Sequence, residues 1–183
     1  MLAVIDEVTE EFLRRSTRVF STRVQASLRV CSFSEVSDSV LMWSHYAKMH
    51  EGLCMEYDIE ALPRGDLRRR FLFPVIYNDG LFDGTPHLLA RLRTGRLNTL
   101  VALLSCLHKA PDWEYEREWR FVLPFGEAMP EGPYHMPKPS RVLIGARVRS
   151  QNVRVVSRTA RDRGIPVVRM RLSERQLRLE EGE

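Results

Sequence analysis

The residues best suited to chemistry lie in Trp113-Glu114-Tyr115-Glu116-Arg117-Glu118-Trp119-Arg120-Phe121. Read as a strand of period two, this stretch sends Trp113, Tyr115, Arg117, Trp119 and Phe121 to one side, and Glu114, Glu116, Glu118 and Arg120 to the other. The first set is mostly aromatic and suits burial. The second is a row of like charges that repel unless a cation or a ligand sits against them. A carboxylate fixed on a strand can act as a general base or stabilise a developing positive charge, and Arg120 can bind phosphate or hold that carboxylate ionised. The same residues also suit a structural ion-pair network, in which Arg120 neutralises Glu118 on a half-exposed face. Residue type and spacing leave both open.

Met42, His45, Tyr46 and Met49 share one helical stripe. That is first the pattern of a packed helix whose histidine and tyrosine find hydrogen-bond partners. The sharper reading sets His45 or Tyr46 in the wall of a cleft facing the glutamates. His50 with Cys54, and Cys106 with His108, form two close pairs, but neither has a standard zinc spacing and no metal is expected. A metal-dependent nuclease would draw on Asp112, Glu118 and Arg120. Asp112 is too near Glu118 in sequence to occupy a separate strand, so Asp79 or Asp83 would have to substitute. Arg68, Arg69 and Arg70, with Arg91, Arg93 and Arg96, are the obvious contacts for nucleic acid, yet no aromatic platform alternates with them. The sequence has no G-x-G-x-x-G, P-loop, G-x-S-x-G, H-E-x-x-H or C-x-x-C motif, which removes the most easily recognised enzyme classes.

The elements that must position these groups follow from periodicity. Leu2 to Phe20 reads as a helix with acids early and arginines late, as the helix dipole prefers. Ser27 to Ser34 reads as a strand. Ser37 or Asp38 caps a short helix through Met42, Trp43, His45 and Tyr46, which Gly52 closes. Leu53 to Asp58 alternates as a half-buried strand, and Phe71 to Tyr77 is an edge strand because of Pro74. Pro86 to His108 reads as helix with an interruption at Gly95, and Pro124 to Pro139 as a long loop suited to a lid. Arg141 to Gly145 is a buried strand, Ser150 to Arg163 a helix closed by Gly164, and Ile165 to Leu172 a last strand. The expected architecture is α+β, a single domain over residues 1–172 with a mixed, largely antiparallel sheet and flanking helices, then a charged, fraying tail over 173–183.

A length of 183 residues suits one such domain. The net charge of +4 allows a polyanionic partner without requiring one. Lysines are confined to Lys48, Lys109 and Lys138, an arginine skew that fits phosphate recognition but fits a GC-rich genome at least as well. Cys31, Cys54 and Cys106 read as reduced, buried thiols of a cytoplasmic protein. No signal-peptide layout opens the chain, and the apolar run at Val101–Leu104 is far too short to span a bilayer.

Cys31-Ser32-Phe33-Ser34, Met42-Trp43-Ser44-His45-Tyr46-Ala47, Gly52-x-Cys54, Lys109 and Trp113-x-Tyr115-Glu116-x-Glu118-Trp119-Arg120 together resemble the bacterial family catalogued as domain of unknown function 2971. The order and spacing agree over about Val30 to Gly145. Members usually begin with a paired-tyrosine motif and an N-D-P-x-E block. This chain begins at the Leu2 helix instead, and the expectation is a truncated or replaced N-terminal segment. A weaker resemblance is to ADP-ribosyltransferases, which bind NAD in the cleft of a split sheet. There Ser32 or Ser34 would match the small hydroxyl residue and Glu116-x-Glu118 the E-x-E, while the first-strand residue would lie in the missing segment.

That resemblance implies an NAD-using enzyme in a phage-defence or toxin setting. Glu118 would be the catalytic carboxylate, Glu116 its partner and Arg120 a positioning residue, with Ser32, Ser34, His45 and Tyr46 lining the cofactor cleft. The acceptor would be nucleic acid or protein, no membrane is expected, and the oligomeric state stays open. A non-catalytic nucleic-acid or protein binding module and a metal-dependent nuclease are the alternatives.

Overall fold

A computed structural model describes residues 28–95, 100–123 and 135–182, together with Arg15, Arg18, Thr22 and Ala26. The helix expected over Leu2–Phe20 therefore lies outside the described residues, save that Arg15 and Arg18 are helical, and so does most of the Pro124–Pro139 loop. The fold is α+β. Strands β1 (Arg29–Ser34), β6 (Glu118–Leu123) and β3 (Leu72–Pro74) form one antiparallel sheet in the order β1-β6-β3. A second sheet runs β2 (Leu53–Glu56), β7 (Arg141–Ile144), β8 (Val167–Leu172), β9 (Leu179–Glu181). Within it only the β7–β8 pair is parallel, joined through helix α5 (Ser150–Asp162) as a βαβ crossover. Short strands β4 (Ile76–Tyr77) and β5 (His108–Lys109) pair in parallel beside the first sheet.

Two apolar clusters hold these layers. Trp43 of helix α1 (Val40–Tyr46) packs with Ala47, Leu143, Met170 and Leu179 over the second sheet. Its indole N–H is satisfied by the Ser37 carbonyl at 2.7 Å, as a buried tryptophan requires. Leu103 of helix α4 (Leu100–Ser105) packs with Leu107 and Val122 against the first sheet. Helix α2 (Leu67–Arg70) is a single turn capped by Asp66, and α3 (Thr85–Thr94) ends at Gly95 in the left-handed conformation (φ 69°), where the interruption was expected.

The helix through Met42 is capped by Ser39, rather than by Ser37 or Asp38, and Gly52 does not close it. Lys48, Met49 and His50 instead take positive φ in succession, a left-handed turn normally reserved for glycine or asparagine. Gly52 serves close approach, since a Cβ there would come within 2.9 Å of the Ala47 Cα. Gly145 does the same more severely, because its Cβ would lie 2.2 Å from the His50 carbonyl oxygen.

Three further expectations are corrected. The aromatic–glutamate stretch is not one strand. Pro111, which presets φ and needs no donor, opens a 3-10 helix over Pro111–Glu116, and Arg117 then turns left-handed (φ 46°, ψ 54°) before β6 starts at Glu118. In β2 it is Cys54 that packs on the core while Leu53 and Met55 are exposed, the reverse of what apolar alternation suggests. The described residues after Ser173 are not a free tail, for β9 pairs with β8 and Leu179 is 1% exposed. Cys54 and Cys106 are half-buried free thiols raised in pKa by burial, but Cys31 is exposed. Among the described residues no helix is long and apolar enough to cross a membrane.

Candidate functional site

A left-handed turn at Arg117 joins the 3-10 helix to β6. It brings Glu116, from the end of the 3-10 helix, and Glu118, from the start of β6, onto one ammonium. Lys109 Nζ at the end of β5 bonds Glu116 Oε2 and lies 2.8 Å from Glu118 Oε2. Arg120 closes the other side. Its Nε donates to Glu118 Oε1 at 2.8 Å, and Nη1 donates to the Cys106 carbonyl. Both glutamates are almost fully buried, at 3% and 5% exposure, so each charge needs a partner, and the two cations balance the two carboxylates.

The neighbouring strand β1 adds hydroxyls. In register Ser32 faces Arg120 and Ser34 faces Glu118. Ser32 hydrogen-bonds the Glu118 carboxylate, and Ser34 Oγ donates to the Glu116 backbone carbonyl at 2.7 Å. The Glu118 backbone N–H is fixed by donation to the Tyr77 hydroxyl at 2.8 Å. Burial alone would raise the Glu118 carboxyl, but hydrogen bonds from Arg120, Lys109 and Ser32 outweigh it and hold the group at about 2. For Lys109 burial works against the charge, and the bonds to Glu116 and Glu118 reverse that and raise its pKa.

The open side of the cluster is aromatic. Exposed Tyr46 donates its hydroxyl to Glu116 Oε1 at 2.8 Å, and that bond to a carboxylate, with burial second, raises the phenol's pKa. Lys109 Nζ sits 5.0 Å from the Trp113 ring centroid, within cation–π range. The Trp113 ring is in turn 6.2 Å from His45 and 6.1 Å from Tyr115. The result is an ionised, neutral-overall cluster with a partly exposed shelf of Trp113, His45 and Tyr46 beside it.

All seven candidate residues are placed by this geometry. Glu116, Glu118, Arg120, Ser32 and Tyr46 bond within the cluster, Ser34 holds its backbone, and His45 touches only the shelf. Lys109 was legible only through the family resemblance and as the cation that a glutamate row demands. Tyr77 and the shelf role of Trp113 carried no sequence signal. Asp112 is exposed, and Asp83 accepts the Thr85 backbone N–H at 2.9 Å. His50, Cys54, Cys106 and His108 do not gather, and among the described residues no three acidic, histidine or cysteine side chains stand together as a metal cage.

Residues 42–121 match the family model described as "Protein of unknown function (DUF2971)". The matched span starts at Met42 in α1 and ends at Phe121 in β6, so it takes in Tyr46, Lys109, Glu116, Glu118 and Arg120 but neither serine of β1. No curated protein and no solved structure matches the chain significantly.

Proposed function

We propose that this chain, whose residues 42–121 match the DUF2971 family model, is an NAD-using enzyme of the ADP-ribosyltransferase type acting at the glutamate–lysine cluster. One observation carries the reading. Of the four carboxylate oxygens, Glu116 Oε1 is the one whose bonded partner, Tyr46, is an exposed side chain, while Glu118 is tied on both oxygens by Lys109 and Arg120. Rotation of Tyr46 would uncover an oriented carboxylate beside an aromatic shelf. That is the environment in which a fixed anion stabilises positive charge on a sugar as its bond to a neutral leaving group breaks.

The division of labour then differs from the one expected. Glu116 becomes the residue facing substrate, and Glu118, Lys109 and Arg120 become positioning residues that keep it oriented. The Trp113 and His45 rings would stack against the planar nicotinamide or adenine ring of NAD. Bound NAD supplies the electrophilic sugar carbon, and the chain supplies orientation and the compensating negative charge.

A second reading has its own support. Lys109 and Arg120 already neutralise both carboxylates, which suits a non-catalytic module whose cluster is structural. Nicotinamide release from NAD, measured beside a thermal-shift titration with NAD, separates the two. The transferase reading expects saturable stabilisation and turnover, with Glu116→Gln losing turnover at least a hundredfold while keeping the fold. Absence of both stabilisation and turnover at millimolar NAD in the unaltered chain would sink it.

A further inference from the structure

Charge in this chain is segregated. Residues 135–183 hold 12 of the 28 Lys and Arg but only 5 of the 24 Asp and Glu, a formal +7 in a chain whose total is +4. The remainder is net acidic. A compositional arginine bias would raise the basic count everywhere, but it does not account for this one-sided balance.

The excess converges on helix α5. Arg154, Arg158 and Arg161 follow at i, i+4 and i+7, so they form one stripe about 10 Å long on the solvent side, and all three are exposed. Arg147 and Arg149 precede the helix, also exposed. None of these five has an ion-pair partner among the described residues, whereas Arg141, Arg171 and Arg178 are each paired with an acid. Arg161 also lines, with Arg169, an open groove of about 680 Å³ between α5 and strands β8 and β9. Five unpaired guanidiniums held on one rigid helix and its entry loop repel one another unless anions lie across them.

We propose that the α5 face binds the phosphate backbone of duplex nucleic acid without reading its sequence. Arginine presents a planar fork matched to phosphate, and a stripe of this length faces several of the phosphates that a duplex carries, with both strands counted, at about one per 1.7 Å of its axis. Residues 135–183 contain no Phe, Trp or Tyr. That argues against a single strand stacked on aromatic rings and against an amphipathic helix anchored in lipid. The proposal stands apart from the transferase reading, because binding here needs no turnover at the glutamate cluster.

The test is fluorescence anisotropy of the 183-residue chain with a labelled 20-base-pair DNA duplex and the corresponding RNA duplex, across a salt series. Saturable binding to a duplex is expected, falling steeply with salt. Arg154→Gln/Arg158→Gln/Arg161→Gln should weaken it at least tenfold at low salt and reduce the log–log salt slope by about 2.7, at roughly 0.9 for each phosphate left without its arginine. Arg154→Lys/Arg158→Lys/Arg161→Lys, which keeps the charge, should retain most of the slope. A circular-dichroism melt checks that each variant is folded. The proposal is overturned by no binding to either duplex at low salt or by equal binding of the folded glutamine variant.

Discussion

Tyr46 donates its hydroxyl to Oε1 of Glu116 at 2.8 Å, joining a side chain that is mostly in water to a carboxylate that is almost wholly out of it. The bond stabilises the folded chain only modestly, because water can take the place of an exposed phenol. Tyr46→Phe should therefore cost about 1 kcal/mol in urea unfolding. In an ultraviolet difference titration it should also remove the raised phenol of Tyr46, whose leading cause is the bond to Glu116, and leave that of Tyr57, which burial raises. A cost above ~3 kcal/mol would mean that the hydroxyl closes the cluster permanently, and Tyr46 could not be its movable edge.

The pH dependence follows from Glu118. Its folded pKa is about 2 against an ordinary 4.5, so on acidification the unfolded chain takes up the proton first. The stabilisation is complete above about 4.5 and drains away as the pH falls through about 2. Glu118→Gln should be less stable than the unaltered chain at neutral pH, and the gap should narrow across that acid window. Equal acid limbs in urea titrations of the two proteins would show that Glu118 is not the group held ionised by Lys109 and Arg120.

How far the sequence discloses this arrangement depends on what each residue answers to. Local signals held where local physics decides: Gly95 and Gly164 in left-handed closing positions, and the strand that ends at Ser34. The convergence of Glu116 and Glu118 was legible, but through the wrong geometry. Alternation at 113–121 looks the same whether the chain is extended or breaks at Arg117, and only Pro111 hints at the 3-10 turn. Burial on β2 was inverted because Cys54, not Leu53 or Met55, faces Trp43 and Leu143, a tertiary choice that hydropathy does not record. The ring of Trp113 over Lys109 likewise depends on where β5 lies beside the 3-10 helix, which no spacing encodes.

Gly145 is the clearest backbone constraint near α1. A methyl group there would come 2.2 Å from the His50 carbonyl oxygen and 2.9 Å from that of Gly52, both main-chain atoms fixed by hydrogen bonds from Arg147 and Gly145. Gly145→Ala should cost at least the upper end of the ~1–3 kcal/mol typical of overpacking. Gly65, with nothing within 4 Å of its would-be Cβ, supplies the control, and Gly65→Ala should change stability by less than about 0.5 kcal/mol. Similar urea midpoints for the two variants would mean that the left-handed turn at Lys48–His50 can yield.

The C-terminal strand tests whether a highly charged segment is structural. Arg171 pairs with Glu180 and Arg141 with Glu181, but both ion pairs are about half exposed and contribute little. The stabilising residue is Leu179, 1% exposed and packed with Trp43, Leu143 and Met170, while its backbone N–H donates to the Asp38 carbonyl at 2.8 Å. Leu179→Ala removes apolar volume from the centre of that cluster and should cost about 2–5 kcal/mol in urea unfolding. Glu180→Gln, which breaks only a surface pair, should cost less than ~1 kcal/mol. If the two variants proved equally mild, the segment after Ser173 would contribute charge rather than core, and β9 would be a strand held by its ladder alone.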